Sequence, residues 1–232
     1  MTLRANARWA GFLFLFYIVV GLGTLLLSGS AIGGGTPAER MANIAHHATT
    51  VRVCILGALL QFFIAVSLGV ALYALTRDVD RELALVALCC RVTEGVVGAF
   101  APLRTLALLW VSAEVTRGHP ETAGLQALGG LLLAAGPWPG LLGGSCFAVG
   151  STLFSLLFLR ARSIPVPLAW LGVVASVALV VVLPLQLAGL VGGPVTSYVW
   201  IPMLAFEVPL GVWLLVKGVS TPAGDRRPLG VA

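Results

Sequence analysis

Six times along this chain an almost uncharged apolar run reaches a length that can cross a bilayer, and that repetition limits the fold more than any single motif. A hydrocarbon core is about 30 Å thick and a helix rises about 1.5 Å per residue, so a spanning helix needs about 20 apolar residues. Runs of that kind lie near 9–29, 51–75, 83–111, 138–160, 166–187 and 196–218. The fold class expected is therefore all-α, a polytopic membrane helix bundle with six transmembrane helices. Composition agrees: 59% of residues are hydrophobic and 10% charged, against about 25% charged in an average soluble domain. No polar stretch is long enough to build a second core, so residues 1–220 read as a single transmembrane bundle. Residues 221–232 read as a disordered cytoplasmic tail. The first run, WAGFLFLFYIVVGLGTLLLSG, suits a spanning helix better than the shorter core of a signal peptide. Between spans three and four, ETAGLQALGGLLLAA is short and Gly-rich and stops at GPWPG. It reads as a short interfacial or re-entrant helix, with 122–136 open between a lid and a re-entrant segment.

Basic residues set the orientation. Arg4, Arg8, Arg77, Arg81, Arg160, Arg162, Lys217, Arg226 and Arg227 fall on one side of a six-span layout, and Arg40, Arg52 and Arg117 on the other. The positive-inside rule then places both termini in the cytoplasm of a bacterial inner (plasma) membrane. The formal charge of +5 needs no nucleic acid to explain it, because the cations sit at helix ends. Cys54, Cys89, Cys90 and Cys146 lie in apolar runs without metal-ligand spacing, and they read as small buried side chains. No metal and no cofactor is expected.

Against this background the stretch RVTEGVVGAF, residues 91–100, stands out. It sets Arg91 and Glu94 one helical turn apart inside span three. Counting at 1.5 Å per residue puts Glu94 roughly 16 Å deep, and Glu207 in span six and Gln61 in span two come to a similar level. A charge at the bilayer centre costs about 2.5–3.5 kcal/mol on insertion scales, so such residues face protein or water and mark function. At 100° per residue Cys90, Arg91, Glu94, Gly98, Ala101 and Thr105 share one stripe. Thr196, Trp200, Met203, Glu207, Gly211 and Leu214 share another on span six. Two readings stay open for each acid. Arg91 and Glu94 can pair simply as helix glue, and Glu207 can rest as a neutral acid bonded to a neighbouring helix. Alternatively RVTE and Glu207 form the two halves of one buried site. Glu94 and Glu207 are then the catalytic candidates, with Arg91, Gln61, Gly98, Trp200, Met203 and Gly211 as substrate contacts. Arg52, Arg104, His46 and His47 near the outer boundary are candidates for a head group, although the two arginines can also simply snorkel. The adjacent histidines lack a carboxylate at ligand spacing and read as interfacial residues.

The order of landmarks resembles a known family. Arg-x-x-Glu in span three, RSIPVPLAWLGVVAS after span four and EVPLGVWLLVKGV closing span six are similar to the bacterial six-helix membrane family known as domain of unknown function 4386. The resemblance implies six spans and supports the weight placed on Arg91, Glu94 and Glu207, and it carries no activity with it. After span four this chain reads ARSIPVP where the family pattern is Ser-Gly-x-Ile-Pro-Arg, so that arginine is not carried over.

Two classes of function fit. Desolvation disfavours a carboxylate, so an acid in an apolar cavity without a nearby cation keeps its proton and can act as a general acid. Protonating an alkene or epoxide starts a carbocation cascade, which aromatic faces stabilise. The first expectation is therefore an integral membrane enzyme that cyclises a lipophilic isoprenoid-type substrate drawn from the lipid bilayer. By size, helix content and buried acids it looks like the small integral-membrane terpene (meroterpenoid) cyclases of natural-product biosynthesis, an analogy without a shared motif. The absence of a D-D-x-x-D motif favours proton-initiated chemistry over diphosphate ionisation. The second expectation is a proton-coupled small-molecule transporter with Glu94 and Glu207 as proton sites on antiparallel spans. A non-catalytic accessory subunit, whose buried charges recruit a partner helix, comes third.

Overall fold

A computed structural model describes residues 2–118 and 122–219, and the tail expected over 221–232 lies outside the described residues. Among the described residues there are ten helices and no strand. They are α1 (Leu3–Ile32), α2 (Pro37–His46), α3 (Ala48–Thr76), α4 (Arg81–Gly98), α5 (Phe100–Thr116), α6 (Thr122–Ala134), α7 (Trp138–Ala161), α8 (Val166–Leu187), α9 (Val195–Tyr198) and α10 (Ile201–Val216). Six segments are long and apolar enough to cross a membrane: α1, α3, α4 with α5, α6 with α7, α8, and α9 with α10. The protein is a multi-pass, all-α membrane bundle.

The sequence marks its own helix starts. Thr2 caps α1 by accepting from the Ala5 N–H, and Asp80 caps α4 by accepting from Leu83 N–H at 3.1 Å. Thr36 and Glu39 cap α2 reciprocally, with Pro37 at the first position, where its missing N–H costs nothing. Inside the bilayer lipid tails are as apolar as leucine, so helices associate through close packing of small residues. Gly11 and Gly211 do this where α1 crosses α10: a Cβ on Gly11 would lie 2.6 Å from the Gly211 carbonyl oxygen. Polar glue is sparse, one case being Thr152 on α7, which donates to Ser176 on α8 at 2.9 Å.

Two apolar cores result. The larger one fills the bundle between α1, α3, α4, α7, α8 and α10. The smaller one lies at the end away from Leu3 and Val216, where Met41 and Ile44 of α2, Leu108 and Leu109 of α5 and Leu133 of α6 pack on the ends of α1 and α3. This second layer exists because α1 and α3 have 30 and 29 residues. At about 1.5 Å per residue they outrun a 30 Å hydrocarbon core by more than 10 Å.

Where the apolar pattern reads one span over 83–111, the structure has two helices meeting at Ala99. Pro102 is the cause. It has no N–H to give the Gly98 carbonyl, and its ring crowds that same carbonyl, so the ladder breaks one turn upstream. The GPWPG stretch likewise separates α6 from α7 over residues 135–137. The two breaks lie beside each other: a Cβ on Gly143 would sit 3.4 Å from the Glu94 carbonyl oxygen. Between them the bundle opens into a cavity.

Candidate functional site

Arg91 is 2% exposed, which a guanidinium tolerates only with neighbours built around it. Two glycines make the room. A Cβ on Gly69 of α3 would meet Arg91 Cβ at 3.0 Å, and one on Gly150 of α7 would meet Cys90 Cβ at 3.1 Å and Arg91 Cδ at 3.6 Å. In that slot Arg91 Nη1 lies 2.8 Å from Glu94 Oε2, the pair set by their spacing of three on α4. Its guanidinium carbon also stands 5.0 Å from the Phe147 ring centre and 5.8 Å from that of Tyr17, distances at which the ring faces attract a cation. The Tyr17 hydroxyl of α1 donates to Glu94 Oε1 at 3.1 Å. Arg91 Nε and Nη2 have no hydrogen-bond partner among the described residues, so the aromatic faces and Glu94 carry the charge between them. Glu94 is thereby gripped from two helices.

Glu207 differs. It is 8% exposed, yet its carboxyl makes no hydrogen bond or ion pair among the described residues and instead borders the cavity. Pro209, two residues on, removes the N–H that the Ala205 carbonyl would use and interrupts the ladder of α10 beside the acid. The cavity, about 220 Å³, is walled by Tyr17, Glu94, Gly98, Phe147, Trp200 and Glu207 and by the glycine-rich start of α7. Phe147 and Trp200 stack at 6.0 Å between centroids and 29° between planes, forming an aromatic floor. A second lobe of about 200 Å³ shares Tyr17, Glu94, Gly98 and Gly140 with the first and is further lined by Gln61, Phe62 and Ala101 among others. Each lobe alone falls short of the roughly 300–1,000 Å³ of a small-molecule site, and both together reach its lower end.

Of the residues singled out from the sequence, Glu94, Glu207, Gly98, Trp200 and Gln61 border this two-lobed space, and Arg91 stands directly behind Glu94. Met203 and Gly211 share the Glu207 face of α10 but lie elsewhere. Met203 is 1% exposed inside the main core, and Gly211 packs on Phe14 and Leu15 where α1 crosses. Arg52, His46 and His47 are exposed at the far end, and His47 Nδ1 lies 3.0 Å from the Asn43 carbonyl. Arg104 donates to the Leu132 carbonyl at 2.9 Å, closing the last turn of α6. No group of three or more His, Cys, Asp or Glu that could hold a metal occurs among the described residues.

Sequence reasoning overlooked Tyr17, Phe147 and the run Pro139–Gly144. For Tyr17 a signal was available. It lies about 21 Å from the start of α1, and Glu94 lies about 20 Å from the start of α4 at the same end of the bundle. Nothing in the local sequence of Phe147 distinguishes it from the other apolar positions of its span.

Chemically the arrangement offers one carboxylate gripped by a cation and a hydroxyl, a second carboxyl that borders the cavity without a bonding partner among the described residues, and aromatic faces beside the cavity. That defines a class: a polytopic integral membrane protein with an ionisable cluster enclosed at mid-bundle. The chain belongs to the family described as Domain of unknown function (DUF4386), whose model matches residues 9–218 and so includes every residue of the cluster. No curated protein and no solved structure matches it.

Proposed function

We propose that the protein is an integral membrane enzyme that protonates an unsaturated isoprenoid-type substrate in the mid-bundle cavity and cyclises it. The observation that carries this reading is the contrast between the two acids: Glu94 is gripped by Arg91 and Tyr17, whereas Glu207 faces the cavity with no partner among the described residues. Glu207 gives its proton to a carbon–carbon double bond. The resulting cation closes onto a second double bond over the faces of Phe147 and Trp200. Return of a proton from the neighbouring carbon to the Glu207 carboxylate restores the acid, so the product is an isomer of the substrate. The cavity is small, and it admits a prenyl chain folded across both lobes, with any bulky head group left outside. The basic residues collected at the end of Leu3 and Lys217 support a cytoplasmic placement of both termini, in a bacterial plasma membrane.

The test is mass spectrometry of lipid-soluble extracts from cells expressing the protein and supplied with a farnesylated aromatic compound or its epoxide. The expected outcome is a new isomer of unchanged mass with the wild type, absent with Glu207→Gln at matched expression. Unaltered substrates throughout reject the reading.

A proton-coupled carrier is the second reading, and one observation favours it: the two lobes meet at the Tyr17–Glu94 bond, as two compartments do at a gate. In proteoliposomes it requires Glu207→Gln to abolish proton-driven uptake while leaving substrate exchange intact.

A further inference from the structure

The breaks that shape the cavity also shape a groove on the outside of the bundle. Where α4 turns into α5, and α6 into α7, a channel of about 440 Å³ runs between the two pairs, lined by Phe100, Leu103, Arg104, Trp138, Pro139 and Leu142 among others. Its walls are apolar apart from Arg104, and four of them face outward: Phe100 is 59% exposed, Leu103 62%, Trp138 57% and Leu142 47%. In a membrane that face meets lipid. Arg104 lies about 35 Å along α4 and α5 from Arg81, at the level where a 30 Å hydrocarbon core gives way to head groups. The hydrophobic walls below it run back toward the midplane.

The arginine is only partly engaged. Nη1 bonds the Leu132 carbonyl, and Nε is buried without a hydrogen-bond partner among the described residues. Gly136 admits the guanidinium, since a Cβ there would stand 3.4 Å from Nη1. Arg40 lies on α2, which packs on α5 and α6, and its Nε donates to the Ile32 carbonyl. Among the described residues no acidic side chain pairs with either of these two arginines. A hydrocarbon channel opening to lipid, closed at head-group level by the partly engaged Arg104, is complementary to an anionic lipid.

We propose that this groove binds one anionic phospholipid of the leaflet remote from Leu3 and Val216. One acyl chain lies along Phe100, Leu103 and Leu142, and the phosphate is held at Arg104. This site is separate from the proton chemistry of Glu207 and stands or falls independently of it.

Native mass spectrometry of the full chain, extracted from vesicles of equal phosphatidylcholine and phosphatidylglycerol, tests the proposal. Phosphatidylglycerol should be retained over phosphatidylcholine by roughly five-fold. Arg104→Gln should remove most of that preference. Because Arg104 also holds α6, Leu142→Trp provides a second variant that fills the channel and leaves the charge in place. It should lower retention of phosphatidylglycerol. Equal retention of the two lipids by the wild type overturns the proposal, as do a preference unchanged in Arg104→Gln, a retention unchanged in Leu142→Trp, or a second copy of the chain occupying the face.

Discussion

Arg91 and Arg104 lie on one continuous segment, α4 followed by α5, yet they belong to regions that treat an arginine in opposite ways. At the bundle centre Arg91 is 2% exposed, slotted between Gly69 and Gly150, and its charge is answered by Glu94 and two aromatic faces. In the far-end layer Arg104 closes a helix terminus on a backbone carbonyl, with Arg40 doing the same for α1 nearby. The difference teaches that depth dictates the partner. At mid-membrane a cation needs a full counter-charge, because neither water nor a free helix end is within reach. At the interface a carbonyl of the last helical turn and the head groups suffice.

The largest effect should come from breaking the central pair. Arg91→Met leaves Glu94 buried without its cation and should cost about 3–5 kcal/mol, read as unfolding free energy in mixed detergent micelles. Adding Glu94→Gln should recover much of that loss, since the penalty lies in the orphaned charge. A double variant as unstable as the single would mean that Arg91 acts by packing alone. The slot itself comes next. Gly150→Leu places side-chain atoms against Cys90 and Arg91 and should destabilise by about 1–3 kcal/mol, with loss of whatever activity the cavity supports. At the far end Arg104→Gln removes only a charged cap and should cost about 0.3–1 kcal/mol in the same unfolding measurement. An effect there matching that of Arg91→Met would erase the distinction between the two regions.

The landmarks of the site were legible in the sequence because membrane depth can be counted along a helix. Arg91, Glu94 and Glu207 announce themselves as charges inside apolar runs, and Gln61 and Gly98 follow by level and by face. Helical phase alone misplaces a residue when the next helix comes too close. Gly211 lies on the Glu207 face by spacing, but α1 crosses there and fills the space with Phe14 and Leu15. Tyr17 and Phe147 went unseen because a phenol and a phenyl ring in an apolar run cost little anywhere in a bundle. Only the neighbouring helices turn one into a donor to Glu94 and the other into a face for Arg91.

By itself the sequence determined that this chain crosses a membrane six times as helices and carries charge at mid-depth, because hydropathy, helix rise and the cost of buried charge are local properties of the chain. Tertiary structure decided the rest. It set which acid is gripped and which is free, because that depends on whether another helix supplies a hydroxyl or a cation within about 3 Å. It also set the two-lobed cavity and the outer groove, because these are gaps left where two helix breaks, made by Pro102 and by GPWPG, come to lie side by side. The prolines are plain in the sequence, but their adjacency is a distance between segments far apart along the chain, and only the folded bundle contains it.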